Sequence, residues 1–200
     1  MERTLAYLFA MSWGAALALL AFWLTLPWRR RRLTRAGLTA PRGRGLCLAL
    51  FWMFCGGMAM LTLTPRWMVE ALELLVRAGV WNPAHYPFFL LGTANLTPFR
   101  TFGNLYILLG NIVMFLPFGL FPGLLWRGAT WRRALGTALC VTGFIECWQL
   151  LVGRAFDIDD LLLNTLGAMC GFWLWRLFSL LAPGAGRRFH CRAGGDKSFE

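Results

Sequence analysis

Charge is what this 200-residue chain has least of. Asp, Glu, Lys and Arg make up 14% of it, against about 25% in an ordinary soluble domain. With 58% hydrophobic residues and a mean hydropathy of +0.56, that deficit excludes a soluble globular domain. Uncharged apolar runs longer than about 18 residues point instead to membrane-crossing helices. There is a single lysine, Lys197, so the net charge of +11 is carried by arginine. The arginines sit in short loops beside apolar runs, and no nucleic-acid-binding motif is present. The expected partners are therefore membrane lipids and no nucleic acid. Histidine is limited to His85 and His190, and none of the six cysteines forms a CxxC pair. No metal site and no cofactor are expected from that set, and the cysteines read as small apolar residues. No internal repeat supports an inverted-repeat transporter.

Five apolar segments are present, at about residues 4–28, 46–64, 105–126, 134–153 and 160–182. The first has no positively charged start and no small-residue cleavage site, and Arg29, Arg30, Arg31 and Arg32 follow it, so it reads as a span and not as a leader. Fourteen basic residues fall in the loops after spans one and three and in the tail, and five fall on the opposite side. The positive-inside rule then predicts an all-α, polytopic bundle with the N-terminus outside and the C-terminus inside. The chain divides into residues 1–45 (first helix and basic loop), 46–182 (membrane domain) and 183–200 (basic tail). Residues 66–79, RWMVEALELLVRAG, are amphipathic and should lie flat in the outer interface.

The scarce acid is concentrated. Glu146 is the only ionisable residue deep inside a span, and Asp157, Asp159 and Asp160 crowd the start of the fifth. A charge in hydrocarbon costs several kcal/mol, which favours a functional reading over packing for Glu146. At about 1.5 Å per residue, Asn111, Glu146 and Asn164 each lie about 10 Å below the outer end of their span. They should form one polar layer. Gln149 shares a face with Glu146, and Asp157, Asp160 and Asn164 form a stripe if span five starts early. Arg154, at the turn, can pair with Glu146 or an aspartate, or bind an anion. Arg100 is a second outer-face cation. Helix capping is the structural alternative for Asp157 or Asp159. Gly110, Gly167 and Gly171 should let helices approach closely, and Pro117 and Pro122 should kink span three.

Three pieces then fit one pattern. NLTPF (95–99), GNIVMFLPFG (110–119) and ECWQ…GR…DIDD…N…G (146–167), in this order and spacing, resemble the VanZ-like family, over about residues 95–175. These are small bacterial membrane proteins named for a teicoplanin-resistance determinant. The resemblance implies a multi-pass protein of the bacterial cell membrane with a role at the outer face, linked to glycopeptide resistance. It carries over Asn95, Asn111, Glu146, Gln149, Arg154, Asp157, Asp160 and Asn164 as site residues.

Three functions compete. The first is a binding protein, with the polar layer holding the head of an amphiphile such as a lipoglycopeptide antibiotic or a lipid-linked cell-wall precursor. A membrane enzyme, in which Glu146, Asp157 and Asp160 act as general acid and base on a lipid-linked precursor, is the second. The lack of a nucleophile-and-base pair or a phosphate loop weighs against it. The third is a structural or assembly protein whose acids serve helix packing.

Overall fold

The computed structural model describes residues 2–79, 89–182 and 189–193. His85, Trp81 and most of the tail lie outside the described residues. Five helices are long and apolar enough to cross a membrane. They are α1 (Glu2–Arg35), α2 (Arg42–Leu63), α4 (Leu105–Leu125), α5 (Trp131–Leu151) and α6 (Ile158–Leu181). A shorter α3 (Arg66–Ala78) follows α2. Four two-residue strands complete the set: β1 (Leu38–Thr39), β2 (Ala94–Asn95), β3 (Phe156–Asp157) and β4 (Arg192–Ala193).

The expected spans are recovered, with one difference in extent. α1 does not stop at Trp28 but continues through the four arginines to Arg35. Arginine is a good helix former, so the end of the apolar run is not the end of the helix. α4 runs unbroken through Pro117 and Pro122.

The helices form two groups. α1 and α2 are antiparallel, with Gly14 set against Gly56 and Phe22 edge-on to Trp52. α4 and α6 run side by side in the same direction in the most extensive contact of the molecule. There a Cβ on Gly119 would lie 1.8 Å from the Ala168 carbonyl, and one on Gly171 would lie 1.9 Å from that of Leu116. Backbones this close admit only glycine, the small-residue packing of membrane helices. Gly167 and Gly171 act as expected. Gly110 does not: a Cβ there meets open space, and Gly119 and Gly123 take the role on α4. Met58, Phe115 and Ile145 form a buried cluster that joins α2, α4 and α5.

Candidate functional site: an acidic network at one end of the bundle

Lipid offers no hydrogen bonds, so the exposed carbonyls at a helix end must find donors within the protein. Two helix ends dictate the layout of the acidic region. The last four carbonyls of α2 are all satisfied. Thr64 Oγ1 donates to Met60 and Trp148 Nε1 to Leu63, at 2.8 Å. Arg154 Nη1 donates to Leu61 and Thr62, at 2.9 and 3.3 Å. Gln149 Nε2 also reaches Thr62, at 3.2 Å. The C-terminus of α5 is closed similarly: Leu90 and Gly92 donate backbone N–H groups to Leu151 and Leu150, and the turn amides of Val152 and Arg154 return to Trp148 and Gln149. Any Cβ on Gly92 would overlap the Arg154 carbonyl, 1.7 Å away.

This turn and the segment before α4 pair as the parallel strands β2 and β3, placing Asn95 opposite Asp157. Asn95 Nδ2 donates to Asp157 Oδ2 at 3.1 Å, while Asp157 Oδ1 caps α6 by accepting the Asp159 amide at 3.0 Å. The backbone N–H of Asp157 donates to Glu146 Oε2 at 3.0 Å. Glu146 is only 1% exposed. Asp160 Oδ1 accepts from Asn111 Nδ2 of α4. Asn164 Nδ2, one turn further along α6, donates to Thr142 Oγ1 of α5 at 3.1 Å, and Asn164 Oδ1 is buried without a partner.

Hydrogen bonds thus join Asn95, Asp157 and Glu146, pair Asn111 with Asp160, and pair Asn164 with Thr142. One expectation is met in part and one needs correction. The turn folds back on Glu146 and delivers the Asp157 amide to it; Arg154 stands close enough to attract Glu146 and Asp160 electrostatically, while its guanidinium donates its hydrogen bonds to the carbonyls of α2. Gln149 shares this fate, so both residues hold α2 to α5. Asp157 belongs to no helical stripe, because α6 starts one residue later and Asp157 is its cap.

Sequence reasoning also missed Asp159. It is fully buried, and its two oxygens accept the amides of Phe99 and Thr101 at 2.6 and 2.7 Å. It therefore clamps the segment before α4 across the bundle top. Phe99 has φ 66°, the one positive-φ non-glycine among the described residues. This conformation costs about 1–2 kcal/mol, which the charge-assisted bonds to Asp159 offset. Thr142 was missed too, although its position four residues before Glu146 puts it on the same helix face. Among the described residues, no three His, Cys, Asp or Glu side chains gather as a metal site requires. Both oxygens of Asp157 and Asp159, and one oxygen each of Glu146 and Asp160, instead accept from N–H donors.

A family model described as VanZ/LLP1 matches residues 46–179, which include every residue of this network. The chain belongs to the VanZ/LLP1 family. Among curated proteins, Protein VanZ of Enterococcus faecium is 31% identical over 84 residues, 42% of this chain. That match spans 52% of the relative's length, so the chain covers about half of it. No solved structure matches the chain. The family region starts at residue 46, well before the motif core at 95, and so takes in α2. The hydrogen bonds from Trp148, Gln149 and Arg154 explain why α2 is part of the same unit. With five apolar spans, this VanZ/LLP1 member is a multi-pass bacterial membrane protein in contact with membrane lipids.

Proposed function

We propose that the acidic end of the bundle faces the outside of the cell and binds the polar head of an amphiphilic cell-envelope molecule. The candidates are a lipoglycopeptide such as teicoplanin and a lipid-linked cell-wall precursor, with reduced glycopeptide susceptibility as the outcome. The observation that carries this reading is the state of Glu146. It is withdrawn from solvent, holds one backbone amide on Oε2, and its cationic neighbour Arg154 donates its hydrogen bonds to the α2 carbonyls and not to the carboxylate. A desolvated carboxylate with Asp157 and Asp160 beside it favours an amine or hydroxyl donor, since charge-assisted bonds are strongest away from water. In this reading Glu146, Asp157, Asp160 and Asn111 contact the ligand. Asn95, Gln149, Arg154 and Asn164 position them, and the lipid-facing helix surfaces take the acyl chain.

The test is teicoplanin susceptibility of a sensitive Gram-positive host carrying empty vector, wild type, Glu146→Gln or Asp160→Asn, at matched membrane levels. Protection by wild type and its loss in both variants is the expected result. Protection retained by the variants returns the acids to helix packing, and no protection by wild type removes the resistance role.

A further inference from the structure

A cavity lies at the opposite end of the bundle, about 30 Å from the acids by the length of a 21-residue helix. Its volume is about 320 Å³, and it opens between the C-terminus of α4 and the N-terminus of α5. The packing explains the opening. α4 spends its glycine face on α6, and α5 also leans on α6, so α4 and α5 meet each other little. The crevice left between them is lined by the apolar Phe118, Pro122 and Phe172 and by the cations Arg127 and Arg133. Arg133 is held there by a bond from Nη1 to the Gly128 carbonyl at 3.1 Å, and Gly128 turns the chain with φ 76°. Thr130 caps α5, whose positive dipole end adds to the field. No described Asp or Glu side chain lies at this end of the bundle to balance the arginines.

We propose that this crevice is a specific site for the phosphate of an anionic membrane lipid, with the phosphodiester between Arg127 and Arg133 and the acyl chain along Phe118, Pro122 and Phe172. An apolar cleft with two guanidinium groups in its lining matches an amphiphile with an anionic head. Arginine forks recognise phosphate in pairs of hydrogen bonds. A soluble anion would leave the apolar half unfilled. This site is independent of the acidic network and of any role in resistance.

The experiment uses the full chain in nanodiscs that mix dioleoyl phosphatidylglycerol and dioleoyl phosphatidylcholine. Lipid retained on the protein after release is read by native mass spectrometry. Wild type should retain phosphatidylglycerol in preference to phosphatidylcholine. The double variant Arg127→Gln/Arg133→Gln should retain at least about tenfold less, as loss of charge-assisted bonds implies. Thr137→Trp, which fills the crevice without changing charge, should lose retention equally. Arg132→Gln is the control for nearby charge, because Arg132 stacks on Trp131 outside the cavity and its loss removes one of the two positive charges that the double variant removes. Equal retention of both lipids, full retention by the double variant, or an equal loss in Arg132→Gln overturns the proposal. So does displacement of the lipid by millimolar inorganic phosphate, which would mark a small-anion site.

Discussion

The closure of α2 by residues of α5 and its turn makes a quantitative claim. Among the described residues, Arg154 is the only donor to the Leu61 carbonyl and shares the Thr62 carbonyl with Gln149. Arg154→Met keeps the length and apolar stem but orphans Leu61. An unsatisfied carbonyl away from water costs about 1–3 kcal/mol. Interhelical hydrogen bonds measured in a membrane protein average about 0.6 kcal/mol, because the unfolded chain also finds partners. The expected loss is therefore about 1–2 kcal/mol, or about 2–8 °C in Tm for a chain of this size. Gln149→Met leaves the Thr62 carbonyl with Arg154 and should cost no more than about 0.6 kcal/mol. The double variant deprives Thr62 of both donors, so its loss should exceed the sum of the two by at least about 0.5 kcal/mol, as coupled neighbours do. Thermal unfolding of the four purified proteins in one neutral detergent reads all three quantities. A Gln149→Met loss equal to or larger than that of Arg154→Met, or a strictly additive double variant, would refute the account of shared carbonyls.

Other substitutions probe other parts of the structure. Gly171→Ala places a Cβ against the Leu116 carbonyl and should destabilise by at least about 1–3 kcal/mol as overpacking does. Gly110→Ala meets nothing and should stabilise by up to about 1 kcal/mol; similar Tm values for the two would contradict the α4–α6 contact. Asp159→Asn keeps one acceptor but offers an amide donor to a backbone N–H. It should release the segment before α4 and speed tryptic cleavage at Arg100 in detergent, and unchanged cleavage would count against the clamp. Acidification should loosen the tail near β4. Burial and the neighbouring cations Arg127 and Arg44 hold His190 below the usual imidazole range. It binds its proton more readily when released, so docking is present at neutral pH and lost as pH falls through its lowered value. A crosslink between Thr39→Cys and Arg192→Cys, which lie opposite each other in the β1–β4 pair, should report this, and His190→Gln should remove the pH dependence.

Much of this was legible in the sequence because bilayer physics acts on composition. Five apolar runs became five spanning helices, and the cost of a buried charge singled out Glu146. Asn111, Glu146 and Asn164 were grouped by depth alone, and each makes a hydrogen bond to another helix or to the turn after α5. The partners were not legible. Spacing within a helix shows which residues share a face, but not which distant carbonyl they will meet. Arg154 looked like a counter-ion because the nearest acids in sequence surround it. The demand it answers lies at Leu61 and Thr62, invisible until α2 is set beside α5. Asp159 was misread for the same reason: two aspartates at a helix start look alike as caps, and only the position of Phe99 and Thr101 separates their roles.

The donors that close α2 also carry a consequence for biogenesis. A chain is made from its N-terminus onward, yet the carbonyls of Leu61 and Leu63 wait for donors 93 and 85 residues later. Until α5 and its turn emerge, α2 sits in the membrane with its end chemically open. α5 faces no such delay, since Leu90 and Gly92 precede it. Insertion of this protein is therefore completed backwards: the last hairpin to be made finishes the second helix. A ribosome stalled after α4 leaves an unfinished helix end for the membrane's quality control to recognise.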